Sequence, residues 1–312
     1  MEETNGIKTD SLMAFSEEDE QLPQRHHWLI DIIIQLILTK PLGAVGGFLV
    51  LVLVVVGVLA PVITYTGPRV MHSEYTLVGP SKKFFLGTDQ LGRDVYTRIV
   101  YGARLSLFFG IAATVMSTTI ATIIGILSAF IGGVFDTSVQ RIVDAMMSFP
   151  YLIIMLTIMA LLGPGTLNLI IAFAIAAWAG QSRVIRSATL SIKGNEYLLA
   201  ARATGCKRRT IMLRHILPNV AAPIIVMISM NIGGAILVEA ALSFLGFGIP
   251  PPAASWGRML SSDGLSQMLQ QPGLAIFPGL SISIAVFGFN MLGDALRDLL
   301  DPRLQGTAGG KA

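Results

Sequence analysis

Five long stretches without Asp, Glu, Lys or Arg dominate this chain. They cover residues 41–68, 105–135, 145–182, 216–238 and 264–293. A helix needs about 20 apolar residues to cross the hydrocarbon core of a bilayer, so four of these stretches each hold one crossing. The stretch 145–182 is interrupted by Gly163-Pro164-Gly165, which favours two short crossings joined by a tight turn. The sequence therefore predicts an all-α membrane protein with six spans, near 42–63, 105–130, 147–163, 166–181, 217–246 and 274–296.

The overall composition supports a membrane protein and excludes several soluble classes. Hydrophobic residues make up 53% of the 312 residues and charged residues only 13%, whereas a soluble domain carries roughly a quarter charged residues. So many apolar side chains exclude a disordered protein and a nucleic-acid-binding protein, because neither class tolerates them. The single cysteine, Cys206, has no second cysteine to pair with, so the chain contains no disulfide framework.

The distribution of Lys and Arg between the predicted loops indicates the orientation. Of the 22 Lys and Arg residues, 15 lie in loops 1–41, 131–146, 182–216 and 297–312. The other seven lie in loops 64–104 and 247–273. Loops rich in Lys and Arg stay on the cytoplasmic side of the membrane. We therefore expect both termini to be cytoplasmic.

Motifs that would give this chain its own catalytic or energy-coupling site are missing. No G-x-x-x-x-G-K-[ST] sequence is present, so the chain has no P-loop for ATP. The His and Cys residues lack the spacing of a zinc site, and no G-x-S-x-G sequence supports a catalytic serine, although spacing alone leaves a Ser-His-Asp triad open. We therefore predict no enzyme activity, no catalytic residue, no metal and no cofactor in this chain, and an energy source outside it.

The most informative segment is residues 193–219, KGNEYLLAARATGCKRRTIMLRHILPN. Asn195 is a good N-cap, Glu196 suits the positive end of a helix dipole, and Gly205 suits the position after a helix end. The pattern predicts a helix of about ten residues, a basic turn of helix over 206–215, and a fifth span opened by Pro218. Such a short helix suits a groove in another protein, and the alternative is an ordinary basic loop on the cytoplasmic side.

This segment resembles the EAA loop of ABC-importer permeases. The residues that stand at the spacing of that family are Ala200, Ala201, Gly205, Leu217 and Pro218. Two positions depart from the general pattern, because the glutamate is Glu196 instead of the residue directly before the alanines, and His215 precedes the isoleucine. Both departures, E-Y-x-x-A-A and H-I-L-P-N, resemble the peptide and nickel subgroup of these permeases.

Other segments resemble the same subgroup, so the resemblance is not confined to one loop. They are LGTDQLGRDVYTRIVYGARLSL (86–107), VDAMMSFP (143–150), EAALSFLGFG (239–248), PPAASWGRML (251–260) and LGDALRDLLDPRL (292–304). Together they extend the resemblance over residues 40–304. The chain is most similar to the second, C-type, permease subunit of dipeptide and oligopeptide systems.

The resemblance implies an all-α permease with the type I ABC-importer fold in the inner membrane of a prokaryote. Such a chain forms half of a translocation pathway that a second, homologous permease subunit completes. Two cytoplasmic ATPase subunits bind ATP and Mg and drive transport, and an extracytoplasmic substrate-binding protein delivers the cargo. The subgroup implies a di- or oligopeptide, but the sequence does not separate peptide from glutathione or a nickel chelate.

The chain divides into five parts. Residues 1–27 are acidic, with seven Asp and Glu among the first 25, and are expected to form a disordered cytoplasmic tail without a signal peptide. Residues 28–40 are apolar except for a narrow polar stripe, which favours a helix in contact with membrane lipid at the interface or a cytosolic extension of the first crossing. The remaining parts are the first span and an extracytoplasmic loop (41–104), a permease core (105–304) with the coupling loop (193–219), and a flexible tail (305–312).

Two groups of residues are the candidate functional sites. The group that contacts the ATPase, by resemblance, is Glu196, Ala200, Ala201, Gly205, Leu217 and Pro218. The group for a pathway or gate is Glu239, Met155 and Met159, because Glu239 is an acid well inside a predicted span and methionines suit a wall that repacks. The alternatives are pairing of Glu239 with a neighbouring donor and packing of the methionines between helices. An ion-coupled secondary transporter is the alternative class, but it needs ion-coordinating groups at broken helices near the midplane.

Two smaller expectations concern the extracytoplasmic side. Repeated Gly with Asp and Arg over residues 87–94 favours a structured turn with an internal ion pair or, by resemblance, a surface for the binding protein. Trp256 is expected to anchor the chain at the outer membrane interface, where tryptophan is enriched.

Overall fold

The computed structural model describes residues 28–300, so the predicted tails at 1–27 and 305–312 lie outside the described residues. Within 28–300 the chain forms nine helices of eight residues or more and no β-strand, which confirms the all-α prediction. The helices are α1 (Trp28–Thr39), α2 (Pro41–Val58), α3 (Val95–Ile131), α4 (Gly133–Met147), α5 (Tyr151–Leu162), α6 (Thr166–Ile192), α7 (Glu196–Ala203), α8 (Ala221–Phe244) and α9 (Gly273–Leu300).

Five of these helices are individually long and apolar enough to cross a membrane: α2, α3, α6, α8 and α9. A sixth crossing exists only if α4 and α5 count as one span, and these two helices are bent by 85° relative to each other. The bounds of the predicted third span, 147–163, are therefore corrected. Helix α5 alone has 12 residues and covers about 18 Å of a hydrocarbon core of about 30 Å, so a crossing here needs the bent pair α4 and α5 together. The predicted loop 131–146 is also corrected, because those residues form most of α4.

The bend between α4 and α5 and the start of α3 have local causes. Pro150 disfavours a helical conformation in the residue before it, so the helix ends at Met147 and resumes at Tyr151. Helix α3 begins at Val95, ten residues before the predicted span, because Asp94 caps it by accepting the backbone N–H of Thr97 at 3.0 Å. The charge-free rule placed the start of the predicted span too late, since it excluded the arginines of the first turns of α3.

Helix α3 lies in the middle of the bundle and packs against α6, α8 and α2, while α9 packs against α8 and α2. Small residues permit the closest approaches between these helices. A Cβ at Gly46 of α2 would lie 2.8 Å from the carbonyl oxygen of Gly288 in α9, and one at Gly125 of α3 would lie 2.7 Å from that of Ser182 in α6. Larger residues at these glycines would therefore push the helices apart.

The connection from α2 to α3 (59–94) and the connection from α8 to α9 (245–272) lie together at the end of the bundle where α3 begins. The predicted ion pair is confirmed, because the Asp89 carboxylate accepts Arg93 Nε at 2.6 Å and both side chains are buried. Arg98 Nε of α3 lies 3.5 Å from the same carboxylate. The prediction for Trp256 was wrong: its side chain is only 1% exposed and its Nε1 donates to the Ile99 carbonyl at 2.9 Å, so it packs inside the protein.

Candidate functional site

Helix α7 is short because both of its ends are defined by the backbone. Asn195 occupies the N-cap position, although its side chain makes no capping hydrogen bond. At the other end Gly205 has φ +74°, the left-handed conformation expected for it after the helix end. The amide of Gly205 donates to the Arg202 carbonyl and that of Cys206 to the Ala201 carbonyl, each at 3.0 Å. These two bonds define a Schellman turn, which reverses the chain directly after α7.

One side of α7 is anchored in the protein. Leu198 is fully buried in an apolar cluster with Phe130 of α3 and Ile185 of α6. Ala201, one helical turn later, is half-buried and packs against the same cluster. Helix α7 is therefore fixed to the ends of two membrane-crossing helices, and a force applied to it reaches both of them.

The opposite side of α7 is exposed. Four of its exposed residues recur at helical spacing on one side, which we call the outward face of α7: Glu196, Leu199, Ala200 and Ala203. Tyr197 and Arg202 are also exposed, on the flanks of the helix. Two predicted contact residues are thus separated, since Ala200 belongs to this face and Ala201 to the anchored side. The sequence prediction missed Leu199, whose side chain is 52% exposed. Its position one helical turn before Ala203 was the signal that could have identified it.

The segment after Gly205 differs in part from the prediction. Arg208–Thr210 forms one helical turn, and Ile211–Ile216 continues it as a π-helix with both of its isoleucines buried. Pro218 does not open the fifth span: it is exposed in the short helix Leu217–Asn219, and α8 begins only at Ala221. Leu217 is half-buried against the apolar cluster that holds Leu198. Leu217 therefore helps to anchor the loop, and Pro218 faces outward.

A cavity of about 580 Å³ opens where α6, α8 and the break between α4 and α5 meet. Its lining is mainly apolar, with Met146, Met147 and Met227 on its walls and two amides, Gln181 and Asn231. The predicted pathway residues Met155 and Met159 do not line it. Both are fully buried in the core cluster with Phe109 and Phe173.

Glu239 of α8 is completely buried and joins two parts of the chain. Its Oε1 accepts hydrogen bonds from Ser243 Oγ in the same helix and from Ser255 Oγ in the connection to α9, each at 2.8 Å. Gly257 packs so closely that a Cβ there would lie 3.0 Å from Oε2. Glu239 therefore pairs with neighbouring hydroxyls and does not line the 580 Å³ cavity.

We expect Glu239→Gln and Glu239→Leu to differ in the amount of folded protein. The glutamine keeps an oxygen that can accept the two serine hydroxyls, whereas the leucine leaves both without an acceptor in a buried place. The yield of monodisperse protein in size-exclusion chromatography should fall several-fold for Glu239→Leu and little for Glu239→Gln. Leu237→Ala, at an exposed position of α8, is the matched control. Equal yields of both Glu239 variants would contradict this role of the hydroxyl contacts.

The part of the chain between residues 28 and 300 contains no group of three or more His, Cys, Asp and Glu side chains placed to hold a metal ion. The arrangement thus offers a bundle of membrane helices, an apolar cavity between them, and a short helix fixed to one end of the bundle. A family model described as "Binding-protein-dependent transport system inner membrane component" matches residues 121–306, which include all three features in large part.

Several curated proteins are similar over nearly the whole chain. The dipeptide transport system permease protein DppC of Alkalihalophilus pseudofirmus is 40% identical over 85% of this chain and 86% of its own length. The oligopeptide transport system permease protein OppC of Bacillus subtilis is 38% identical over 86% and 87%. The glutathione transport system permease protein GsiD of Pectobacterium atrosepticum is 36% identical over 95% and 96%.

Among solved structures, the bundle resembles a chain of the MetNI methionine ABC transporter in an inward-facing conformation. The TM-score is 0.52 at 17% sequence identity, and the match covers 65% of this chain and 96% of that chain. At this identity the likeness concerns the fold alone.

Proposed function

The chain belongs to the family of binding-protein-dependent transport system inner membrane components, and on that premise we propose that it is one of two homologous permease subunits of an ATP-driven peptide importer. It is a multi-pass membrane protein and a transport subunit, not an ATPase. The observation that carries the proposal is the similarity at 36–40% identity to dipeptide, oligopeptide and glutathione permeases over 85–95% of the chain. Peptide bonds are common to those three cargoes, so the proposed cargo is a short peptide.

In this proposal α7 is the contact with a separate ATPase subunit. Its outward face combines one acid, one exposed leucine and two alanines, and small side chains allow another backbone to come close. Its anchored side is fixed by Leu198 to the cluster that contains residues of α3 and α6. A movement of the ATPase would therefore be transmitted to the membrane helices without bending α7.

The 580 Å³ cavity is the proposed contribution of this chain to the translocation pathway, with the second permease subunit closing its open side. Flexible methionines give the wall an apolar surface that can repack around different side chains. The polar groups of this wall are the amides of Gln181 and Asn231. Gln181 is held by the hydroxyls of Ser117 and Thr118, and Asn231 Nδ2 donates to the Met227 carbonyl, so a peptide main chain would meet amides that are already fixed in position. In this arrangement Met155 and Met159 act on the pathway only indirectly, through the packing of α5.

Helix α4 is held in place by charges on α6. Asp136 accepts Arg186 Nε at 2.7 Å, and Asp144 pairs with Arg183. Because α4 leads into the 85° bend next to the cavity, a shift of α6 would move the cavity wall with it. We propose that the pathway opens and closes by this coupled movement as the ATPase subunits close and separate.

The proposed orientation places both termini and α7 in the cytoplasm, on the side where 15 of the 22 Lys and Arg residues are predicted. The proposed complex contains this chain, a second permease subunit, two ATPase subunits that bind ATP and Mg, and an extracytoplasmic binding protein that delivers peptide.

Reconstitution tests the proposal. The proteoliposomes contain both permease subunits and the ATPase subunits, with ATP inside and the peptide-loaded binding protein outside. They should accumulate a labelled dipeptide or oligopeptide. The purified chain alone should neither bind nor hydrolyse ATP. Omission of this chain is the control for uptake, and an ionophore that removes ion gradients should leave uptake unchanged. Uptake that follows an ion gradient without ATP would contradict the proposal and favour a secondary transporter.

A further inference from the structure

A second cavity, of about 420 Å³, lies between the end of α3 and the loop after α7. We call it the basic pocket, and the residues of its lining that matter are Phe130, Ile131, Lys193, Arg202, Cys206 and Arg208. Three of these are cations, and no acidic residue of the described range 28–300 lines the pocket. None of them belongs to the outward face of α7, and the proposed function gives the pocket no role.

Two of the three cations of the basic pocket, Lys193 and Arg202, contact uncharged groups. Lys193 Nζ donates to the carbonyl of Ala129 at 2.6 Å, and the Arg202 guanidinium lies 5.1 Å from the centre of the Phe130 ring. Neither contact neutralises a charge. The acid on the neighbouring helix, Asp136, accepts two nitrogens of Arg186, at 2.5 and 2.7 Å, and also interacts electrostatically with Lys193. One carboxylate therefore faces two cations, and Arg202 and Arg208 add two more. The pocket therefore keeps an excess of positive charge, which favours an anionic ligand.

The position of the basic pocket indicates where that anion comes from. Ile131 is the last residue of a membrane-crossing helix and is exposed at the pocket wall. Helix α4 starts two residues later, and its apolar side chains Val134 and Ile142 are exposed among polar ones. A helix of this kind lies at the level of the lipid headgroups. The pocket therefore opens at the height of the headgroups, and basic pockets at the cytoplasmic ends of membrane helices bind anionic headgroups.

We propose that the basic pocket binds the phosphate group of an anionic phospholipid. The phosphate would contact Arg202 and Arg208, and the acyl chains would extend along Ile131 and the apolar side of α4. Arg202 lies on the flank of α7, and its guanidinium is directed at Phe130 near the end of α3. Because this direction is toward a membrane-crossing helix and not along the outward face of α7, it favours a lipid over an acidic side chain of an ATPase subunit. A bound lipid would hold the turn at Gly205, so its effect on coupling rests on the proposed function, whereas the binding site itself does not.

The chain provides its own reporter for this site, because its only cysteine, Cys206, is exposed and lines the pocket. The experiment measures the rate at which an uncharged maleimide labels Cys206, by mass spectrometry of its peptide, in nanodiscs that hold the permease subunits with or without the ATPase subunits. We expect labelling to be several-fold slower with phosphatidylglycerol than with phosphatidylcholine alone. Arg208→Gln should remove this protection. Arg209→Gln, an exposed neighbour that does not line the pocket, should keep it.

Each contrary outcome has a separate meaning. Equal labelling rates in both lipids, or equal behaviour of Arg208→Gln and Arg209→Gln, would overturn the proposal. Protection by inorganic phosphate in phosphatidylcholine nanodiscs, without any further effect of phosphatidylglycerol, would identify free phosphate as the ligand and overturn the lipid assignment. Protection that requires the ATPase subunits and ignores lipid charge would assign the pocket to a protein contact. Because lipid protection is measured without transport, failure of the proposed function would leave this result unaffected.

Discussion

Gly205→Val is expected to abolish ATP-driven uptake while the amount of inserted protein stays normal. Gly205 has φ +74°, and no atom of residues 28–300 lies within 4 Å of the place where its Cβ would stand. The effect therefore arises from backbone strain and not from a collision. A left-handed conformation costs about 1–2 kcal/mol for an ordinary residue, and a β-branched residue is especially unfavourable. The Schellman turn would open, and the end of α7 would point in another direction.

Two matched variants isolate this cause. Gly205→Asn should retain most of the uptake, because asparagine adopts the left-handed conformation more readily than valine. Gly194→Ala should also be tolerated, since Gly194 lies just before α7 in open space and without a positive φ. The measurement is peptide uptake by proteoliposomes at equal permease content, together with the ATPase rate. Normal uptake by Gly205→Val would show that the turn does not direct the coupling helix.

Leu199→Asp is expected to separate the permease from its ATPase subunits. Leu199 is the large apolar side chain of the outward face of α7, and a residue of this kind at the centre of a contact becomes buried on assembly. An aspartate there would be buried without a partner. We expect the affinity for the ATPase subunit to fall at least about tenfold, which corresponds to about 1.4 kcal/mol.

Leu213→Asp is the matched control, because Leu213 is 51% exposed in the same loop but lies outside α7. Both variants add one negative charge to the loop, so an electrostatic effect on the whole surface would change both equally. The ATPase subunits that remain bound after size-exclusion chromatography measure the difference. Retention of the ATPase by Leu199→Asp, or equal loss with Leu213→Asp, would contradict the assigned contact.

The features that the sequence predicted well are those set by local chemistry. Charge-free stretches located the crossing helices because a buried charge in lipid is costly over any part of the span. The left-handed Gly205 followed from its place after a short helical pattern, and the Asp89–Arg93 pair from two oppositely charged residues in one glycine-rich turn. In each case the deciding interaction lies within a few residues along the chain.

The features that it missed depend on contacts distant in sequence. The start of α3 was misplaced because Arg98 and Arg104 were assigned to a loop on account of their charge, whereas Arg98 is buried next to Asp89. The buried Trp256 was taken for a lipid anchor because its partner, the Ile99 carbonyl, is 157 residues away. The different surroundings of Ala200 and Ala201 follow from the burial of Leu198 against other helices, which no local pattern contains.

Cross-linking at α7 tests most directly whether this helix couples the permease to its ATPase. In a chain with Cys206→Ser, Ala200→Cys should cross-link to an ATPase subunit in the assembled complex, because Ala200 is exposed on the outward face of α7. Ala201→Cys, the adjacent residue of the same type on the anchored side, should cross-link far less. A cross-link from Ala200→Cys and little from Ala201→Cys is the expected result. No cross-link to an ATPase subunit from any of the positions 196, 199, 200 and 203 would contradict the account.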